Sequence, residues 1–189
     1  MFAKFVLSFL IIIALFAAAS YLEYTYTHQV IEMEEEIADM NEFQLQLANL
    51  EIDHHLWMIS LYDMFVGGEA PDLGDHTECN LGQWYYNITP EEYFREPYEA
   101  MEVPHERLHS TGIEVVNLYK EGKEEEALNL FNAEVRPNLE LVRENLAEMI
   151  NLTEAEIEQM GVEKNRLINL SQRIIIISAA AAILLSALI

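Results

Sequence analysis

Cysteine, basic residues and helix-breaking residues are scarce in this chain. Cys79 is the only cysteine among 189 residues, which excludes an intrachain disulfide. Lysine and arginine number 10 against 33 acidic residues, giving a formal net charge of −23. Such a charge repels nucleic acid and anionic lipid, so we expect neither as a partner. Residues 21–66 contain no proline or glycine, and no segment alternates like a strand, which favours an all-helical fold.

The two ends of the sequence are apolar. Residues 5–20 carry no charge and follow Lys4, and residues 174–189 are apolar to the last position. Each segment approaches the roughly 20 residues that a transmembrane helix needs. We predict a transmembrane helix or signal anchor at 1–21 and a second, truncated transmembrane helix at 173–189, with more protein following. Small residues near position 20 also fit a cleavable signal peptide, so cleavage stays open.

This topology gives an expected location for the region between the two spans. The positive-inside rule puts Lys4 and the N-terminus in the cytoplasm. Residues 22–172 would then form a domain outside the inner (cytoplasmic) membrane, periplasmic or extracytoplasmic. Acidic runs in this region are expected to be solvated helix faces.

The pattern between the spans predicts a four-helix bundle flanked by two transmembrane helices. The first helix has apolar positions three and four residues apart and ends at a loop over residues 67–77. A short helix is expected from about Cys79. A third is expected to start at Pro90 and to reach about Met101, and Pro104 is expected to open another. The last helix is expected from residue 124, kinked at Pro137. The inward-facing positions of the first helix are Met33, Ile37, Met40, Leu47, Leu50, His54, Trp57, Leu61 and Met64.

Four residues are candidate metal ligands: His54, Cys79, His105 and His109. Three imidazoles and one thiolate are a complete tetrahedral set for Zn²⁺. His54 falls on the inward face of the first helix, and His105 and His109, four residues apart, share one face of a helix. Each feature alone is more often an ordinary buried residue, and their joint occurrence predicts a zinc site.

The segment from 105 to 109 reads HERLH and so matches the HExxH pattern of zinc proteases, with Glu106 in the place of the base. A zinc hydrolase is therefore one alternative. The motifs around His54 and Cys79 explain the histidine pair better than a protease does. We therefore expect no enzyme activity. A structural zinc bundle without a sensing role is the other alternative, because a closed set of four ligands is typical of structural zinc.

Several neighbours of these ligands could assist them. Trp57 and Trp84 could wall the site, Gly82 could permit a close helix approach, and Asp53 or Glu106 could orient an imidazole. His76 is the replacement candidate if one ligand fails. His55, next to His54, and His28, close to the membrane, are not expected to bind metal.

The spacing of these motifs resembles the chemoreceptor zinc-binding domain. The sequence has HxxW at His54–Trp57, CxLGxW at Cys79–Trp84 after 21 residues, and HxxxH at His105–His109 after 20 more. The resemblance implies a four-helix bundle that holds one Zn²⁺ through the four candidate ligands. It also implies a sensory module, as in chemotaxis receptors and diguanylate cyclases, here expected in a chemotaxis receptor. The implied inputs are zinc or oxidants such as hypochlorous acid, acting through redox chemistry at the zinc–cysteine pair.

The expected function is thus a transmembrane zinc sensor for chemotaxis. Zinc occupancy or oxidation of Cys79 would change helix packing, and signal transduction would follow across the membrane. By resemblance we expect a homodimer through residues 33–47. This chain differs from the common arrangement, which is cytoplasmic, because it lies between two spans. The downstream cytoplasmic signalling module is not present in this sequence.

Overall fold

The computed structural model describes residues 2–187, with side chains from Phe5 onward. Positions 1, 188 and 189 of the predicted membrane segments 1–21 and 173–189 lie outside the described residues. The described chain is all-helical and contains no strand, which confirms the predicted class. Its α-helices are α1 (Phe2–Phe65), α2 (Asn80–Tyr85), α3 (Arg95–Lys120), α4 (Glu124–Leu130) and α5 (Arg136–Ala187), with a 3-10 turn at Glu92–Phe94 and a π-helical turn at Phe131–Val135.

Helix α1 is unbroken because nothing in its sequence interrupts it. It ends where Gly67 adopts a φ of 102°, a conformation that suits glycine. The loop that follows leads to α2, whose N-cap is Cys79: the backbone N–H of Gly82 donates to its Sγ at 3.2 Å. A candidate metal ligand therefore also fixes the start of this short helix.

Helix α3 differs from expectation at two places. The predicted start at Pro90 is wrong, because a 3-10 turn begins only at Glu92 and α3 at Arg95. The predicted break between Met101 and Pro104 is also wrong, since α3 runs through Pro104. Proline deprives the carbonyl four residues earlier of its partner, but that residue, Ala100, is exposed to water. Met101 and Pro104 are both buried, and this packing keeps the helix continuous.

The last helical stretch changes geometry just before Pro137. Helix α4 passes through the π-helical turn into α5 without leaving helical conformation. Because proline cannot donate the usual helical hydrogen bond, a local widening of the helix ahead of it accommodates the missing donor. The predicted irregularity at Pro137 is therefore a π turn.

The described chain forms two compact units. One unit, residues 41–155, has a core drawn from every helix in it, and the inward-facing positions predicted for this part of α1 are buried or half-buried. Its fully buried side chains include Leu47, Leu61, Met64, Leu81, Met101, Leu108, Val115, Val135, Val142, Leu146 and Met149.

The other unit comprises α1 up to Met40 and α5 from Glu156. Within it, Lys164 pairs with Glu34 at 3.5 Å. By length and composition alone, two helical stretches could cross a membrane. Their most apolar windows have mean hydropathies of 2.5, in Phe5–Phe65, and 1.8, in Glu124–Ala187. The first window is not buried at all, and the second is 11% buried.

Candidate metal centre

His54 lies on the buried face of α1. Its side chain is 2% exposed, and Nδ1 lies 2.9 Å from the carbonyl oxygen of Leu50, one turn earlier. A carbonyl oxygen can only accept, so Nδ1 carries the proton and Nε2 of the neutral ring presents a lone pair. This tautomer is the one that a metal bound at Nε2 requires.

Helix α3 contributes two histidines from successive turns. His105 and His109 are as buried as His54, and their ring centroids are 4.9 Å apart. Nδ1 of His109 donates to the carbonyl oxygen of Gly74 at 3.0 Å, in the loop between α1 and α2. This bond again leaves Nε2 free as a donor to metal.

Cys79 enters from the N-terminus of α2. Its Sγ lies 3.3 Å from Nε2 of His105 and 3.8 Å from Nε2 of His54. Gly82 makes this placement possible, because a Cβ there would fall 1.9 Å from the carbonyl oxygen of His76. The close approach predicted for Gly82 is therefore to the preceding loop and not to another helix.

The four donor atoms form a compact group. The Nε2 atom of His54 lies 3.1 Å from that of His105 and 3.5 Å from that of His109, and all four donors lie within 4.8 Å of one another. In an ideal tetrahedron with Zn–N near 2.05 Å, nitrogens are about 3.3 Å apart, and an Sγ at 2.3 Å is about 3.6 Å from each. The residues present thus fit a tetrahedral Zn²⁺.

The comparison with known families points to the same residues. Residues 54–116 match the chemoreceptor zinc-binding domain. The matched range begins at His54 and contains Cys79, His105 and His109, so it carries all four donors, although it covers only about a third of the chain. No curated protein and no solved structure matches the chain.

Burial shifts the pKa values of the four donor side chains in the segment that matches the chemoreceptor zinc-binding domain. Desolvation lowers the pKa of His54, that of His105 to about 2 and that of His109 to about 4, and the neighbouring imidazoles add to the effect. The three rings are therefore neutral at physiological pH, as metal ligands must be. Burial also raises the pKa of the Cys79 thiol, so a bound cation would be needed to hold it as a thiolate.

The two tryptophans have different surroundings. The Trp57 ring packs against that of His109, with the ring centroids 5.1 Å apart. It fits because Gly112 has no side chain, since a Cβ there would fall 2.4 Å from the indole. Trp84 instead packs against Phe43 and Tyr98 in the core. The structure thus places only Trp57 against the histidines.

Other candidates lie outside the donor group. Asp53 accepts a hydrogen bond from Asn80 at 2.6 Å, so it positions the residue after Cys79. Glu106 is exposed, although a base next to a catalytic metal would have to face it. His76 contacts the His105 ring at 5.9 Å and Tyr86 Oη at 3.2 Å. His55 pairs with Glu51, and His28 pairs with Glu32.

A small cavity reaches the donor cluster from outside. Its volume is about 240 Å³, enough for solvent-sized molecules, and Cys79 is among the residues that line it. Sequence reasoning missed this opening, because it arises from the side chains of three separate elements. It is lined by Asp53, His54, Trp57, Glu78, Cys79, Asn80 and His109.

Proposed function

We propose that this protein is a zinc-binding transmembrane sensor of the chemoreceptor type. The convergence of His54, Cys79, His105 and His109 on one point carries the proposal. Two further observations support it: carbonyl oxygens fix the tautomers of His54 and His109, and residues 54–116 match the chemoreceptor zinc-binding domain.

Under this proposal, zinc occupancy controls how the helices pack. The ligands come from α1, from the start of α2 and from α3, so Zn²⁺ would supply a cross-link among three elements that are otherwise joined by loops. Without it, the unprotonated Nε2 atoms of His54 and His109 would lie 3.5 Å apart in the core with no proton to share between them. Loss of metal would therefore loosen α1 against α3.

Oxidation of Cys79 is a second proposed input. The cavity beside its sulfur gives small oxidants access, and two-electron oxidation converts the thiolate into a sulfenate, a poorer zinc ligand. The result would be the same loosening of the bundle, reversed by reductants.

We further propose that the domain, residues 22–172, lies outside the inner membrane between spans at 1–21 and 173–189. The two apolar helical windows support this placement. A membrane-impermeant thiol reagent tests it in intact cells whose zinc has been chelated. Labelling of Cys79 is expected there, and labelling only after lysis would place the domain in the cytoplasm. The output would be a cytoplasmic signalling module outside this sequence.

Zinc titration of the full chain in detergent, combined with spin-label distances, tests the sensor proposal. We expect a zinc affinity at which the bound metal exchanges at physiological zinc concentrations. We also expect the label distances between α1 and α3 to change on chelation or oxidation. His105→Ala should abolish both responses. His55→Ala is the matched control, because His55 is outside the donor group. Identical distances with zinc, without zinc and after oxidant would overturn the sensor.

A structural zinc bundle is the second candidate. It is favoured by the donor set, because four protein ligands leave no open position. It predicts that zinc is held too tightly to leave at physiological concentrations and that oxidant leaves the helix packing unchanged. The same titration therefore separates the two candidates.

A further inference from the structure

The cavity that reaches the donor cluster has a negatively charged lining. Asp53 and Glu78 are among the residues that line it, and none of the lining residues is lysine or arginine. The lining also contains His54, Cys79 and His109. Because the two buried histidines are neutral at physiological pH, the carboxylates carry the charge of this opening.

The two carboxylates come from separate elements. Asp53 precedes His54 on α1, and Glu78 precedes Cys79, the N-cap of α2. Asp53 is half-buried and fixed in place by the hydrogen bond that it accepts from Asn80 at 2.6 Å, whereas Glu78 is exposed. The opening is therefore bordered by negative charge on both α1 and the start of α2.

No basic side chain neutralises these two charges. In the described part of the chain, the ion pairs of lysine and arginine involve other carboxylates, such as Glu51, which pairs with Arg143 at 3.0 Å. An unpaired carboxylate at an opening keeps its full field toward whatever approaches. The charge at this opening is thus available to act on small molecules.

The field of these carboxylates extends to the sulfur. Burial makes the largest contribution to the raised pKa of the Cys79 thiol, two backbone N–H groups oppose the shift, and the like charges of Asp53 and Asp75 add to it. A negative charge at the sulfur is therefore disfavoured by these carboxylates. An anion that enters the cavity meets the same repulsion.

We propose that this opening is a charge filter, which admits cations and uncharged molecules to Cys79 and holds back anions. Clefts lined by charge of one sign concentrate ions of the opposite sign and repel ions of their own. The inference rests on the proposed function, because it states which molecules reach that site: Zn²⁺ would be drawn in, and uncharged oxidants would be favoured over anionic ones. Asp53 and Glu78, which are outside the donor group, would then determine specificity.

Three thiol reagents that differ chiefly in charge test the filter. Aminoethyl, hydroxyethyl and sulfonatoethyl methanethiosulfonate are cationic, uncharged and anionic, and each transfers its thioalkyl group to a thiolate with loss of methanesulfinate. Cys79 is the only cysteine, so their reaction with the full, metal-free chain in an uncharged detergent reports on that sulfur alone. A ratio of two rates cancels the thiolate fraction, and the same ratio for free mercaptoethanol corrects for intrinsic reactivity.

The expected order of rates is cationic, uncharged, anionic. We expect the corrected ratio of uncharged to anionic rates to be at least about five, and Asp53→Asn/Glu78→Gln to lower it at least about threefold. Asparagine at position 53 keeps an oxygen that can accept from Asn80. The matched control, Glu106→Gln/Glu114→Gln, removes the same charge from exposed positions of α3 and should leave the ratio unchanged.

Salt dependence of the parent chain gives a test that needs no variant to fold. Raising the ionic strength from about 0.01 M to about 1 M shortens the Debye length from about 30 Å to about 3 Å, so the corrected ratio should fall toward one. A corrected ratio of one at low salt, no reaction with any of the reagents, or an equal fall in both double variants would overturn the filter.

Zinc content measured on the same preparations separates this inference from the proposed function. Zinc binding without charge selection would overturn the filter alone. Charge selection in a chain that binds no zinc would overturn the proposed function and leave the filter standing.

Discussion

Replacing Gly82 with alanine tests the tightest contact in the metal centre. The new Cβ would lie 1.9 Å from the carbonyl oxygen of His76 and 2.9 Å from Cα of Thr77. Both are backbone atoms, so no side-chain rotation can relieve the overlap. To reach an ordinary contact of at least 3.4 Å, α2 and the loop must separate by about 1.5 Å. Cys79, which begins α2, would move with it.

Both stability and metal affinity should suffer from this shift. Overpacking of this kind costs about 1–3 kcal/mol, so the free energy of unfolding of the metal-free chain should fall by about that amount. Zinc sites tolerate errors of only about 0.2 Å in ligand distance. A displacement of Cys79 by a sizeable part of 1 Å should therefore weaken zinc binding at least about tenfold.

Denaturant unfolding and competition with a chromophoric chelator measure the two effects. Gly161→Ala is the matched control, because Gly161 is within α5 and a Cβ there meets nothing within 4 Å. We expect this control to be neutral or to stabilise the helix by up to about 1 kcal/mol. If Gly82→Ala has the same free energy of unfolding and the same zinc affinity as the parent chain, the described approach of the loop to α2 is wrong.

Three further perturbations follow from the same geometry. Acidification should destabilise the metal-free chain: unfolded histidines bind protons near pH 6.5, whereas folded His105 and His109 do so only near 2 and 4. Chemical unfolding at pH 7 and pH 5 should therefore show that the free energy of unfolding falls as the pH falls, by up to about 1.4 kcal/mol per pH unit for each histidine. The same free energy at both pH values would contradict the burial of His105 and His109. Gly112→Ala should push Trp57 off His109, shift tryptophan emission and lower stability by about 1–3 kcal/mol; an unchanged emission spectrum would refute that contact. Tyr98→Phe should cost about 1–3 kcal/mol in unfolding experiments, because the buried hydroxyl donates to the carbonyl of Tyr85 at 2.5 Å; no loss would show that water replaces the hydroxyl.

The sequence was sufficient to predict the elements whose signals are local. The absence of breakers predicted α1, and the predicted loop from residue 67 begins where Gly67 adopts a positive φ. The spacing of the motif predicted that His54 and His109 would share a site. Pro104 misled the prediction of a helix break. The free-energy cost of a proline inside a helix depends on how the helix packs against the rest of the fold and on whether water reaches the carbonyl that loses its partner. Neither can be known from the sequence.

Features that depend on contacts between elements were beyond sequence reasoning. Nothing local reveals that Gly74 accepts from His109 or that Gly82 lies against His76. Asp53 was only one candidate for orienting an imidazole, and it accepts instead from Asn80 because α2 begins beside α1 at that point.

The most direct test of the central claim is X-ray absorption at the zinc edge on the full chain, with metal content measured in parallel. We predict one zinc per chain, with about three nitrogen ligands near 2.0 Å and one sulfur near 2.3 Å. Cys79→Ser should lose the sulfur shell, and the control His55→Ala should retain both shells. A chain without bound zinc, or a zinc shell without sulfur in the parent, would contradict the assignment of His54, Cys79, His105 and His109 as its ligands.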